Sequence, residues 1–313
     1  MRSVLDIINE CDSFNDADLA NCVPFVIDSI QVGLILPCIE PFLDSSPVFT
    51  KENGVYSISS QYSSVESRSR CLAELFQNWR ETKQFKVLEG WRDELYPCYG
   101  CNGEIVFYIE RSAVCILGIT TFGVHCTAYI PPMVKEPFQK VVEGRVWVPR
   151  RSYTKQTYPG MLDNTVAGGI SGGLGPMETL VKESMEEAGL EEKLIRRNVV
   201  SAGVVSYFHV RGSTAGGETG LLQPEVQFVY DLPVDETVMP TVNDNEVHGF
   251  ELWTYTEALN AARRGEFKPN CALVLVDFMV RHGVITAEND SDYVDIVQRM
   301  HRKLGFGMPK YKS

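Results

Sequence analysis

The chain has 313 residues, room for two domains of ordinary size. Hydrophobic residues make up 44% and charged residues 22%, a balance that supports a buried core and excludes a disordered chain. A net charge of −12 leaves no basic stripe for nucleic acid and no attraction to an anionic membrane surface, but it does not exclude a phosphorylated small molecule, because a bound metal inverts the local field.

The first part, residues 1–122, reads as a smaller α+β domain of its own. Its opening, MRSVLDIINECDSFNDADLANC, is acidic and helical in pattern, unlike a signal or transit peptide. Leu5, Ile8 and Leu19 supply an apolar face for two short helical segments. Val32 to Ile39 is an apolar element interrupted by Pro37 and closed by a turn at Pro41. Val55 to Ile58 alternates like a strand, and Ser64 to Trp79 carries Val65, Leu72, Leu75, Phe76 and Trp79 at helical spacing. The segment ELYPCYGCNGE reads as irregular. Strands are expected at Glu104–Glu110 and Val114–Thr121, closed as a hairpin around Arg111.

The second part, residues 123–313, carries predicted strands at Val124–Ile130, Arg145–Pro149, Val199–His209, Glu225–Leu232 and Phe250–Thr254, and Thr165–Ala167 enters the glycine loop. Helices are expected at Met177–Ala188, Leu190–Arg197, Thr256–Arg264 and Ala272–His282, with Thr256 and Asn270 as N-caps. Strands, a helix, more strands and a closing helix predict an α/β/α sandwich. No apolar run is as long as a membrane span, and nine cysteines without a disulfide framework imply free thiols in a reducing, cytoplasmic setting. Cys98 and Cys101 form one CxxC, but Cys115 and Cys126 do not supply the second pair that zinc needs.

The chemistry concentrates in AGGISGGLGPMETLVKESMEEAGL, residues 167–190. Glu183, Glu186 and Glu187 stand three and four apart, on one face of a helix a single turn long. Like charges at that spacing repel, and a hard divalent cation such as Mg²⁺ or Mn²⁺ relieves them with oxygen ligation. The glycines before the helix allow a tight loop that can present backbone N–H groups to a phosphate at its N-terminus.

This segment resembles a Nudix box: Gly, five residues, Glu, seven residues, then Arg-Glu-hydrophobic-any-Glu-Glu-any-Gly-hydrophobic. The opening Gly falls on Gly168, the Arg-Glu pair on Lys182 and Glu183, the Glu-Glu pair on Glu186 and Glu187, and the close on Gly189 and Leu190. Leu174 replaces the first Glu, Lys182 the Arg, and Ser184 the hydrophobic residue. Lysine keeps the charge but lacks the guanidinium fork. Flanking segments, among them RRSYTKQTYPGMLDNTVAGG, VVSYFHV, PEVQFVYDL and GEFKPNCALVLVDFMVRHG, are similar to the Nudix portion fused to thiamin pyrophosphokinase in fungi and to stand-alone relatives in plants and yeasts. That resemblance implies a Nudix α/β/α sandwich with a mixed sheet behind an α+β domain. It also implies a diphosphatase acting on thiamin diphosphate, and preferentially on its oxidised oxo and oxy forms, to give the monophosphate.

In that reading Glu183, Glu186 and Glu187 hold Mg²⁺ or Mn²⁺ and Lys182 orients them by a salt bridge. The water's proton goes to a carboxylate near the metal or to Glu246 in NDNEV, although that residue reads more readily as a plain loop acid. Lys155, Gln156 and Asn164, Gly168 and Gly169 in the loop, and Lys268 and Asn270 in KPNCA are candidate contacts to a small-molecule diphosphate. Each has an ordinary role as well, in loop capping or surface charge. Tyr158, Tyr207 and Phe208 are candidates to stack on a heteroaromatic ring. Two alternatives remain open at this point. One is chemistry like that of isopentenyl-diphosphate isomerase, which needs a site cysteine and has only Cys126 and Cys271 to draw on. The other is a non-catalytic ligand-binding fold. The sequence leaves the oligomeric state open.

Overall fold

The computed structural model describes residues 1–135 and 140–311. The chain opens with helix α1 (Val4–Cys11), where the Ser3 hydroxyl accepts the Asp6 N–H at 3.0 Å and Asp6 returns the bond to the Ser3 N–H. Its apolar stripe, Val4, Ile7, Ile8 and Cys11, is fully buried, but against the last helices of the chain and not against the segment that follows it.

That segment builds the first sheet. Strands β1 (Val23–Ile27) and β2 (Ile30–Ile35) turn through Asp28 and Ser29, both at positive φ. Helix α2 (Glu40–Asp44) follows, then β3 (Phe49–Glu52) and β4 (Val55–Ile58), which turn through Asn53-Gly54, again both at positive φ. Such two-residue turns match the twist of the strands they join, and Asn-Gly is their strongest sequence signal. The order is β2-β1-β4-β3. Helix α3 (Val65–Glu81), capped by Ser64, buries Cys71, Leu72, Phe76 and Trp79 in the core of this unit.

The expected hairpin of residues 104–121 does not form. Strand β5 (Leu95–Tyr99), inside the segment read as irregular, pairs antiparallel with β6 (Ile105–Glu110). Residues 111–116 instead make a 3₁₀ turn with Ala113, Val114, Cys115 and Ile116 buried. Glu110 decides this. Its buried carboxylate accepts the N–H groups of Arg92, Glu94 and Ser112, which ends the strand and ties the β5 lead-in beside it.

The second sheet is mixed. It contains β7 (Thr121–Ile130), β10 (Arg145–Arg151), β11 (Val166–Gly169), β12 (Val200–Val210), β13 (Leu222–Pro233) and β14 (Val247–Thr254), in the order β12-β13-β7-β10-β14 with β11 paired to β7. A small ribbon, β8 (Met133–Lys135) and β9 (Lys140–Val142), lies outside it. Strand β13 runs parallel to β7; the other pairings are antiparallel. Strands β7 and β10 touch only at Arg145–Ile130 and Val146–Tyr129, and beyond that β7 takes β11 as partner from Cys126 to Gly123. The sheet therefore splits along β7, and the split opens the candidate site.

Alternation sorts the side chains into two apolar layers. Val124, Cys126 and Ala128 face helices α4 (Pro176–Ala188) and α5 (Glu192–Asn198). Val146, Val148, Val205 and Val229 face α6 (Tyr255–Arg264), α7 (Pro269–Arg281), α8 (Tyr293–Arg299) and α1. The whole is α+β, with an α/β/α sandwich behind a smaller α+β unit. Thr254, not Thr256, caps α6, because it forms the capping box with Glu257. Asn270 lies inside the first turn of α7, since Pro269 takes the first helical position. Among the described residues no helix is long and apolar enough to cross a membrane.

Candidate active site

Helix α4 starts at Pro176 and stops at Gly189, whose φ of 60° is left-handed. A Cβ on Gly189 would also fall 2.3 Å from the Thr241 hydroxyl, so glycine is required twice over. Leu180, Val181, Ser184 and Ala188 form the buried stripe. Ser184 is fully buried and its hydroxyl has no partner among the described residues, which is what a serine in a hydrophobic position should show.

The other face carries the carboxylates. The Lys182 ammonium reaches Glu183 and Glu186, each at 3.2 Å. Glu187 accepts the Ala167 N–H of β11 at 3.2 Å and makes no ion pair among the described residues. Burial, with the charges of Asp163, Glu183 and Glu246, pushes its carboxyl well above the usual range. Burial also raises Glu183, against the pull of Lys182. Gly168 must be glycine, because a Cβ there would sit 2.4 Å from the Glu183 Cγ. As they stand, no three His, Cys, Asp or Glu side chains among the described residues converge on one point. Lys182 lies between two of the glutamates and Ala167 holds the third. The donor set nonetheless suits a hard divalent ion: all the donors are carboxylate oxygens, two of the carboxyls are raised, and one has no cation of its own.

Beside α4 a small recess is lined by Arg151, Lys155, Asp163, Glu187 and Glu246. Lys155 pairs with Glu246. Burial would raise Glu246, but Lys155, Arg92 and Arg111 outweigh it and hold it below the usual range. Arg151 likewise overrides the burial of Asp163, at 2.7 Å.

A cavity of about 190 Å³ opens from the glycine loop into the space between the two units. Its floor is the face of the split sheet: Gly123 and His125 on β7, Tyr207 on β12, Glu225 and Gln227 on β13. Its far wall comes from the first unit, through Arg92, Tyr96 and Arg111. The first unit is fastened to the loop. The Gly172 N–H donates to the Leu95 carbonyl at 2.8 Å, and a Cβ on Gly169 would lie 1.7 Å from the Tyr96 hydroxyl. Arg111 stacks over the Tyr96 ring, 5.6 Å from its centroid, and pairs with Glu94 at 2.9 Å.

The structure brings Gly168, Gly169, Gln156, Lys268 and Asn270 together around this cavity, with Tyr158 and Tyr207. Lys155 and Glu246 lie in the adjacent recess. Glu186 is exposed on the outer side of α4. Asn164 is buried behind the floor, bonded to His125 at 2.7 Å and to the Cys271 carbonyl at 3.2 Å. Phe208 stacks on Phe14 in a separate apolar cluster. Neither Cys126 nor Cys271 lines the cavity; the Cys271 thiol donates to Asp163 at 2.6 Å. Sequence reasoning missed Arg92, Tyr96, Arg111, His125, Glu225 and Gln227. Two of these left a signal, since in PEVQFVYDL Glu225 and Gln227 are polar residues two apart in an apolar strand, and so share one face.

A family model described as NUDIX domain matches residues 140–271, and one described as Domain of unknown function (DUF4743) matches residues 3–121. An uncharacterised protein of Saccharomyces cerevisiae is 38% identical over 89% of this chain and 82% of its own length. Nudix hydrolase 20, chloroplastic, of Arabidopsis thaliana is 32% identical over 95% of this chain and 77% of its own. The chain belongs to the Nudix hydrolase family. Nudix hydrolase 24, chloroplastic, of the same plant is 33% identical over 90% and 73%. The protein is thus a Nudix pyrophosphohydrolase, and Nudix enzymes generally use divalent metal ions. In Nudix terms, α4 with the loop before it is the box, and the DUF4743 unit forms the opposite wall of its cleft.

Proposed function

We propose that this Nudix enzyme is a metal-dependent diphosphatase of a small organic substrate, thiamin diphosphate or its oxidised forms, releasing the monophosphate and phosphate. The observation that carries the reading is one continuous site. The carboxylate face of α4 lies against the glycine loop, where Glu187 holds the Ala167 N–H and Glu183 abuts Gly168, and the same loop lines a cavity walled by Arg92 and Arg111 and flanked by Tyr96, Tyr158 and Tyr207. At about 190 Å³ the cavity exceeds the roughly 150 Å³ that accommodates a benzene ring.

Glu183, Glu186 and Glu187 would hold Mg²⁺ or Mn²⁺, which supplies charge neutralisation and a lowered pKa for water. Arg92, Arg111, Lys155 and Lys268 surround the space for the diphosphate and offset its charge as it binds. Backbone N–H groups of the glycine loop orient the anion. Water attacks phosphorus, the anhydride P–O bond breaks, phosphate leaves, and the water's proton passes to a carboxylate. Glu246 is the weaker acceptor of the candidates, because Lys155 holds it ionised. Closure by the DUF4743 wall excludes bulk water from the anhydride.

Hydrolysis products should be separated and quantified for thiamin diphosphate, its oxidised forms, a nucleoside diphosphate sugar and a dinucleoside polyphosphate, each with Mg²⁺, Mn²⁺ or chelator. Turnover of the thiamin-type diphosphates at the highest kcat/KM, abolished by chelator, is expected. Preference for any other member of the panel overturns the substrate assignment.

A further inference from the structure

We propose that the floor of the cavity is a recognition subsite for a nitrogen heterocycle presenting N–H donors, centred on Glu225 and seconded by His125. Its orientation rests on the placement of the diphosphate at α4 proposed above.

Glu225 sits deep in the cavity and lines it. Its carboxylate accepts from the Gln223 amide at 2.7 Å, the Thr121 hydroxyl at 3.1 Å, the Gln227 amide at 3.2 Å and the Tyr207 hydroxyl. All four donors are neutral, and Glu225 makes no ion pair among the described residues. Burial would raise its carboxyl, but these bonds, with Lys268 and His209 acting through space, outweigh burial and keep it ionised.

Gln227 shows how strongly the fold holds this charge. Its side-chain N–H₂ serves Glu225 and Tyr207, which leaves its carbonyl oxygen buried without a partner. Leaving that oxygen unpartnered costs stability.

His125 adds a second acceptor. The Asn164 amide nitrogen donates to the Cys271 carbonyl, so its oxygen faces the His125 Nδ1, which must carry the proton. Nε2 is then an acceptor on a ring that lines the cavity. Burial and Lys268 depress its pKa, which keeps the ring neutral.

The donors of this floor are thus committed to one another and fill the acceptor positions of Glu225, so the His125 Nε2 is the acceptor left to a ligand, beside a charge that no cation among the described residues neutralises. A neutral apolar ring would leave Nε2 without a partner and that charge uncompensated, whereas an amino group meets Nε2 and brings partial positive charge to Glu225. Tyr158 lines the cavity at φ 51°, a left-handed conformation that a bulky residue adopts only where its surroundings impose it. The Thr214 carbonyl accepts its N–H at 3.1 Å, and Lys268 lies 5.9 Å from its ring centroid.

The test uses monophosphates, which a diphosphatase does not consume. Binding to the full-length enzyme is measured by calorimetry for thiamin monophosphate, cytidine monophosphate and adenosine monophosphate. Each is compared with an analogue whose exocyclic amino group is replaced by hydrogen. At least one N–H-bearing ring should bind about tenfold or more tightly than its analogue, a difference of about 1.4 kcal/mol. Glu225→Gln should bring that ratio close to one, and Gln227→Met should reduce it. The wild-type comparison needs no variant to fold. Ratios near one for every ring in the wild type overturn the subsite, as does a ratio unchanged in folded Glu225→Gln. If a nucleotide ring shows the Glu225-dependent ratio and thiamin monophosphate does not, the subsite stands and the thiamin assignment falls. If thiamin diphosphate is hydrolysed while every ratio is near one, the reverse holds.

Discussion

Glu187 on α4 accepts a single hydrogen bond, from a backbone N–H, and shares its surroundings with Asp163, Glu183 and Glu246. Glu225 on β13 is likewise half-buried and accepts four hydrogen bonds, all from neutral groups. The first carboxyl is pushed up and the second is held down. Burial acts on both in the same direction, so the difference is made by donors and neighbours. A carboxylate left short of donors among like charges is costly to the bare fold and is relieved by a cation arriving from outside. One furnished with neutral donors is ionised and aimed before any ligand comes. The two ends of one cleft thus prepare for different chemistry with the same side chain.

The largest expected effect breaks the comparison most directly. Glu187→Gln should lower kcat for diphosphate hydrolysis by about 10²–10⁴, the several kcal/mol typical of a metal-neutralised transition state. The same variant should unfold at a higher temperature than wild type in chelator, because it removes a charge the bare fold tolerates poorly. Mg²⁺ should then raise the wild-type midpoint and raise that of the variant less. Full turnover under saturating Mg²⁺, or a lower midpoint in chelator, would remove Glu187 from its role. Glu225→Gln should do the opposite in chelator and lower the midpoint, since four donors lose a charged acceptor.

The glycine loop gives the next effect, by changing geometry and leaving every charge in place. Gly168→Ala puts a methyl 2.4 Å from the Glu183 Cγ, so the carboxylate must shift. Overpacking of this kind costs about 1–3 kcal/mol. A fall in kcat of about tenfold or more is expected, because misplacement by an ångström can cost a hundredfold. Kinetics and thermal unfolding of the one variant suffice, and unchanged kcat would mean that the Glu183 position is immaterial.

Much of the α4 end is legible in sequence, because it is local. Three glutamates at helical spacing, a glycine loop and a C-terminal Gly189 lie within one stretch, and the helix predicted from Met177 begins at Pro176. The Glu225 end is only half legible. Period-two alternation places Glu225 and Gln227 on one face, yet that they meet His125 depends on β13 lying parallel to β7, a pairing across about a hundred residues. The cationic wall was not legible at all. Arg92 precedes a strand that Pro97 and Gly100 disguise as a loop, and Arg111 follows a carboxylate whose capping role shows only in three dimensions. The burial of α1 against α7 was hidden for the same reason, since the partners lie some 260 residues apart.

That wall supplies a smaller, separable effect. Arg92→Ala and Arg111→Ala should each reduce kcat/KM by about ten- to a hundredfold, in keeping with the roughly 1.5–3 kcal/mol of a hydrogen bond to a charged group. The loss should fall mainly on KM and deepen as salt is lowered, as expected for groups that hold an anion without entering the α4 chemistry. A loss confined to kcat would move these arginines to the reacting end of the cleft.

The smallest effect, and the sharpest on sign, is the pH dependence of stability without metal. A carboxyl raised on folding costs nothing below its unfolded pKa of about 4.3, and the cost grows as pH climbs towards the folded value. The advantage of Glu187→Gln over wild type should therefore be absent near pH 4.5 and grow towards pH 8. One proton bounds its slope at about 1.4 kcal/mol per pH unit. A carboxyl lowered on folding contributes stability that is complete above about pH 4.3 and lost as pH falls through the folded value. The deficit of Glu225→Gln should accordingly be constant from pH 8 to about pH 5 and shrink only below that. Urea unfolding of wild type and the two variants from about pH 3.5 to 8, in chelator, reads both. A Glu187→Gln advantage that does not grow with pH, or a Glu225→Gln deficit that grows as pH falls, would show that the neighbours of Glu187, or the donors of Glu225, do not set their charge as the geometry requires.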